Sequence, residues 1–238
     1  MTKILLIHGA SHGAWCWRDT IPELEKLGHE VEAIDLPGHG SDPTPTNDVT
    51  LDLYADAIID ALSEPMVVLG HSMAGFSISL AAERRPDLFL HLIYLCAYYP
   101  QAGLSLTDMR KTSKRQLLAD AVIRSEDGKS FTFNPAMAKE RFYADCTDEQ
   151  IAYAKAHLCP QAVQPSEAVV ELGENYASVP RSYIRCMQDG AVPYELQVTL
   201  TEGWPEGTVT DIDTSHSPFF AAPAELATIA TEFLSDPN

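Results

Sequence analysis

The segment Met66-Val67-Val68-Leu69-Gly70-His71-Ser72-Met73-Ala74-Gly75 constrains this chain more than any other. Four apolar residues in a row lack the alternation of a half-solvated strand and fit a parallel strand covered on both faces. A helical pattern starts directly after Ser72. A serine on such a strand-to-helix turn projects from the end of a sheet on a strained backbone, and the close passage of strand and helix demands small neighbours. Gly70 lies two residues before Ser72 and Ala74 two after, with Gly75 next. A glycine-rich turn with an incidental serine would carry the same letters. The strand before it and the helix after it favour a nucleophile elbow, with Ser72 as the nucleophile.

The rest of the chain repeats the alternation. Lys3–Ile7, Glu30–Leu36, His91–Cys96, Ser182–Arg185 and Thr208–Ile212 read as further strands. Helices are expected over Trp17–Leu27, Leu51–Leu62, Ser72–Arg84, Pro193–Thr201 and Ala224–Leu234. Alternating strands and helices predict right-handed crossovers and a parallel sheet, the α/β class. Gly28 stops the helix before it, and Pro86 sits where another should already have ended. Leu51, Tyr54, Ala55, Ile58, Ile59 and Leu62 mark one buried helical face.

Between Tyr98 and Ala177 the alternation breaks. A basic stretch (Arg110, Lys111, Lys114, Arg115), a turn at Asp127-Gly128 and helix-like segments at Ala136–Tyr143 and Asp148–His157 replace it. The expected organisation is a core of residues 1–97 and 178–238, with residues 98–177 inserted as a mainly helical cap over the carboxyl edge of the sheet.

Charge narrows the partners. Thirty-four acidic against 16 basic side chains give a net charge of −18. Such a surface repels nucleic-acid phosphates and anionic membranes and favours a neutral small-molecule substrate. No segment approaches the roughly 18 apolar residues of a membrane span, and the opening apolar run is too short for a signal-peptide core. The five cysteines, Cys16, Cys96, Cys146, Cys159 and Cys186, show neither a disulfide framework nor zinc-type pairing, so a reducing cytoplasm is expected. The oligomeric state is not legible, and a homodimer is compatible with the sequence.

Activating Ser72 requires a base within hydrogen-bond reach and an acid to orient that base. With a nucleophile elbow the chain order is serine, acid, histidine. His216 is the only histidine after His157, and it follows the last strand. Asp189 follows the preceding strand, in Gln188-Asp189-Gly190, and is the preferred acid over Asp211, Asp213 and Glu195. Oxyanion donors are expected from the N–H groups of Met73 and of Ala10, in the loop His8-Gly9-Ala10-Ser11-His12-Gly13-Ala14-Trp15. His8 and His12 could pass for a metal pair, but that loop lacks an acidic ligand and an H-E-x-x-H pattern, so no metal and no cofactor are expected. His12, Trp15, Tyr98 and Phe142 are the candidate substrate-binding residues. Met66, Met109, Tyr99 and Tyr143 are further pocket candidates, with core packing the default for each.

These residues bring a family into view. Leu6-Ile7-His8-Gly9-Ala10-Ser11-His12-Gly13-Ala14-Trp15-Cys16-Trp17 resembles the opening of plant methylesterases, hydroxynitrile lyases and related bacterial esterases of the α/β-hydrolase superfamily. Gly28-His29-Glu30-Val31, with Asp35-Leu36-Pro37-Gly38-His39-Gly40, is similar to the family's second strand and following loop. Tyr183-Ile184 through Asp189, then Pro193 and Gln197, resembles the stretch that carries its acid. The resemblance implies six parallel strands, a cap over Tyr98–Ala177 and a triad of Ser72, Asp189 and His216. It also implies a choice between chemistries. The lyases carry a threonine in the oxyanion loop and a lysine after the histidine, where this chain has Gly9 and Ser217. A serine esterase is therefore expected, with a cofactor-free lyase or a non-catalytic ligand receptor as the alternatives.

Overall fold

The computed structural model describes residues 1–235. Six parallel strands form the central sheet in the order β2-β1-β3-β4-β8-β9. They are β1 (Lys3–Ile7), β2 (Glu30–Ile34), β3 (Met66–His71), β4 (Phe89–Leu95), β8 (Arg181–Cys186) and β9 (Val209–Ile212). The strand count and parallel direction match the expectation.

Side-chain alternation along each strand feeds two cores. Leu5, Ile7, Val68, Leu92 and Tyr94 join one, packed with α2 (Leu51–Ala61) and α3 (Ala74–Arg84). Ile4, Leu6, Val67, Leu69, Ile93 and Leu95 join the other, with α10 (Pro218–Ala221) and α11 (Pro223–Ser235). All six residues of β3 are buried, which explains its unbroken apolar run.

Two helix boundaries differ from the sequence reading. The helix expected over Trp17–Leu27 is a 3-10 turn at Ala14–Asp19 followed by α1 (Ile21–Lys26). Pro22 lies in the first turn of α1, where its missing N–H costs nothing. A continuous helix would have needed that N–H. α3 starts at Ala74 rather than Ser72, because Ser72 sits at φ 56° on the turn itself.

Between β4 and β8 the chain builds α4 (Leu106–Thr112), β5 (Val122–Arg124), β6 (Ser130–Phe133), α5 (Ala138–Phe142), α6 (Asp148–His157), β7 (Gln161–Ala162), α7 (Gln164–Glu167) and α8 (Glu174–Ala177). The two anticipated helical segments appear as α5 and α6. The insertion is mainly helical, and it also holds a feature the sequence reading did not anticipate: β5, β6 and β7 form a three-stranded antiparallel sheet. Strands of two to four residues are too short for a period-two pattern to show. The Asp127-Gly128 turn joins β5 to β6, with Gly128 at φ 70°. Beyond the insertion, α9 (Tyr194–Leu200) links β8 to β9. No helix among the described residues is long and apolar enough to cross a membrane.

Candidate active site

The chain begins in β1, crosses outward to β2, and returns on the other side of β1 as β3. Strand order therefore reverses between β1 and β3, which opens a crevice beyond their carboxyl ends. Ile7 pairs with Gly70 in the register, so the loop after β1 and the turn after β3 emerge side by side. Gly9 makes that approach possible. A Cβ there would lie 2.7 Å from His71 Nδ1 and 2.9 Å from the Ser72 Cβ. The loops after β8 and β9 end on the same edge and carry Asp189 and His216.

Three separated residues thus meet. Ser72 Oγ lies 3.1 Å from His216 Nε2, and His216 Nδ1 lies 2.7 Å from Asp189 Oδ2. A carboxylate only accepts, so Nδ1 carries the imidazole proton and Nε2 is left to accept from the serine hydroxyl. Asp189 is buried, and Ala191 N–H and Val192 N–H each donate to its Oδ1 at 2.7 Å. Gln197 Nε2 donates to its Oδ2 at 3.2 Å and to the Val192 carbonyl at 2.8 Å. The rival acids are occupied elsewhere. Asp211 pairs with Arg185, Glu195 pairs with Arg115, and Asp213 accepts from Gln188.

Strain concentrates at the nucleophile. Ser72 holds a left-handed conformation, its N–H donates to the Leu95 carbonyl at 3.0 Å, and its carbonyl accepts from Tyr98 N–H at 3.1 Å. The end of β4 and the segment after it therefore hold the turn in place. Ala10 and Met73, the expected oxyanion donors, line the same cavity as Ser72 and His216. Neither N–H has an acceptor among the described residues.

The loop after β1 is held by histidines that the sequence reading passed over or assigned otherwise. His8 Nε2 accepts from Leu36 N–H at 3.0 Å, so Nδ1 must carry the proton and donate to the Gly9 carbonyl at 2.9 Å. That carbonyl belongs to the same peptide group as the Ala10 N–H. His12 donates from Nδ1 to the Ala10 carbonyl and lies 2.7 Å from the Tyr143 hydroxyl through Nε2. His39 donates from Nδ1 to the His12 carbonyl at 2.8 Å. Burial drives His8 well below the usual histidine range and His12 down to about 4. His8 must be neutral to make both of its bonds, and burial disfavours the charged form of His12 and His39 as well. These hydrogen bonds leave His8 and His12 no free lone pair for a metal. Another histidine and cysteine cluster, His71, Cys96 and His216, is equally unsuited. His216 Nδ1 is committed to Asp189, and burial keeps the Cys96 thiol protonated.

The cavity beside Ser72 measures about 80 Å³ and is mostly apolar. Leu106, Val122, Phe131, Phe133 and Phe142 of the insertion wall it, opposite Ala10, Met73 and Val192 of the core. Of the candidate substrate-binding residues, His12, Tyr98 and Phe142 line it. Trp15 does not. Its ring stacks on His12 from behind at 5.2 Å and packs against Tyr153, His157 and Phe220. Met66 and Met109 pack in the core, as does Tyr143, while Tyr99 packs on Trp204. Asp145, which the sequence reading missed, accepts from Ser215 N–H at 2.7 Å and from the Ser215 hydroxyl, fastening the insertion to the residue before His216.

Comparison with known proteins agrees with this architecture. Residues 4–229 match the model of the alpha/beta hydrolase family. A putative chloroplastic methylesterase 14 of Arabidopsis thaliana is 31% identical over 99% of this chain and 72% of its own. Methylesterase 7 of the same plant is 29% identical over 97% of this chain and 95% of its own. Among solved structures, a pyrethroid hydrolase from Sphingobium faniae superposes with a TM-score of 0.88 at 26% identity, covering 99% of this chain and 98% of its own. Polyneuridine aldehyde esterase superposes with a TM-score of 0.86 at 26% identity, covering 99% of this chain and 100% of its own. On the fold, the family match and these relatives, the chain belongs to the alpha/beta hydrolase family.

Proposed function

We propose that this hydrolase cleaves carboxylic esters by attack of Ser72, through an acyl-enzyme. The observation that carries the reading is the unbroken hydrogen-bond chain from Ser72 through His216 to Asp189, opening on an apolar cavity. Ser72 Oγ adds to the ester carbonyl as its proton passes to His216 Nε2. The resulting imidazolium is held by Asp189. Negative charge on the former carbonyl oxygen faces the unclaimed N–H groups of Ala10 and Met73. Collapse of the adduct breaks the bond to the leaving alkoxide, which takes the proton from His216. Water then repeats the sequence on the acyl-enzyme, releasing the acid and restoring Ser72.

The phenylalanines and leucine of the wall suit a small substrate with an apolar or aromatic body. Five free thiols suit a reducing compartment such as the cytoplasm. The lyase alternative finds no support around the nucleophile. Gly9 has no room for a threonine, and Ser217 is fully buried where the lyases carry lysine. No cyanide release from mandelonitrile is expected.

The test is Ser72→Ala measured on methyl and aryl esters, with fluorophosphonate labelling of the parent. Labelling confined to Ser72 and a loss of turnover of several powers of ten are expected. Retained turnover in the variant would remove Ser72 from the mechanism.

A further inference from the structure

The cavity beside Ser72 carries charge of one sign. No aspartate or glutamate lines it, yet Arg110 of α4 and Arg124 of β5 do. This is unexpected in a chain of net charge −18. Arg124 has a distant partner, Glu167 at 3.9 Å. Arg110 has none. Arg18, Arg84, Arg85, Arg115, Arg141 and Arg185 each form an ion pair, and Arg181 stacks on Tyr176. Arg110 alone among the arginines has neither an ion pair nor a ring partner among the described residues. It is half-buried, and it acts electrostatically on Tyr98, which lines the same cavity. A guanidinium left unpaired on an apolar wall is a planar fork without its acceptor.

We propose that the substrate is an ester bearing a carboxylate at the end remote from the scissile bond, and that Arg110 binds that carboxylate. This rests on the esterase reading of the site and replaces the neutral substrate suggested by the overall charge. Net charge sets the field far from the protein, whereas within a low-dielectric cavity the nearest charges dominate. The acid released by hydrolysis would then be a dicarboxylate, or its alcohol fragment would retain the charge.

Matched ester pairs test this: monomethyl terephthalate against methyl para-toluate, and monomethyl adipate against methyl hexanoate. Each pair exchanges a carboxylate for a methyl group. At neutral pH and low salt the parent enzyme is expected to favour the anionic member of at least one pair by about tenfold or more in kcat/KM. Added salt should shrink that ratio. Arg110→Gln should bring it close to one, and Arg110→Lys should keep part of it. Because both members are measured on one preparation, a partly unfolded variant lowers both and leaves the ratio readable. No anionic preference in either pair, or a ratio unchanged in Arg110→Gln, overturns the proposal. Titration calorimetry of Ser72→Ala with the same pairs reads the preference as a ratio of Kd. The charge inference is thereby judged even if no ester is turned over, an outcome that would count against the esterase reading instead.

Discussion

His71 Nε2 lies 2.9 Å from the backbone carbonyl of His216, so the residue before the nucleophile is hydrogen-bonded to the main chain of its base. A carbonyl only accepts, so Nε2 carries the proton. His71 is fully buried, and burial holds it well below the usual histidine range, which keeps the ring neutral. Its other nitrogen has no hydrogen-bond partner among the described residues. The turn after β3 and the loop after β9 are thereby fixed to each other, independently of the Ser72–His216 bond.

Replacing that donor with an apolar ring tests the tie. His71→Phe leaves the His216 carbonyl without its strong donor, a loss of about 1–3 kcal/mol for a buried group. If His216 drifts as a result, kcat should fall about ten- to a hundredfold with little change in KM, and the melting temperature should drop. Unchanged kcat would mean that Asp189 alone sets the imidazole.

Asp189→Asn probes the other side of the same ring. The amide can present its NH2 group to Nδ1 and so favour the tautomer whose Nε2 proton blocks acceptance from Ser72. A loss of about 10⁴-fold in kcat is expected with the fold retained, by analogy with other serine hydrolases. A loss under tenfold would return Asp211 or Asp213 to consideration, despite their present partners.

The legible parts of the chain were those with strong local signals. β3 was readable because burial on both faces makes it apolar throughout, and Asp189 and His216 because each follows a strand in the required order. Trp15 was misplaced because a loop has no periodicity to say which way a ring turns. It faces Phe220 and Tyr153 rather than the cavity. β5 and β6 were unreadable because they are three and four residues long. His8, His39 and His71 were invisible as a group, since their roles depend on carbonyls brought close only by the β1–β3 crossing. Arg110 belongs to a basic stretch in the sequence, but its lack of an ion pair among the described residues is a property of the folded wall.

The buried histidines predict an acid limit to stability. His12 titrates at about 4 in the fold and near 6.5 when unfolded, because burial disfavours its charged form. His91 is lowered to about 4 for the same reason, and His8 and His71 shift in the same direction. Between those pH values the unfolded chain binds more protons than the folded one. Stability therefore rises with pH across this window and is lost as pH falls from about 6.5 toward 4. Urea unfolding midpoints measured from pH 8 to pH 4 should hold level and then decline below about 6.5. His12→Gln should flatten part of the decline, and a midpoint that increases on acidification would contradict the neutral-histidine account.

Gly9→Ala tests whether the loop after β1 must pass this close to the elbow. The added methyl carbon would meet His71 Nδ1 at 2.7 Å, the Ser72 Cβ at 2.9 Å and the His71 carbonyl at 3.1 Å. None of these is the free end of a flexible side chain. His71 is held by the His216 carbonyl, and the Ser72 backbone by Leu95 and Tyr98. The loop itself must therefore move, carrying with it the Ala10 N–H that the proposed mechanism uses. Loss of one such donor costs about 10²–10³ in kcat. Gly9→Ala should show a loss of that size on an ester that Ser72 still attacks, while fluorophosphonate labelling persists at a reduced rate. Near-normal kcat would show that Ala10 is not the second oxyanion donor.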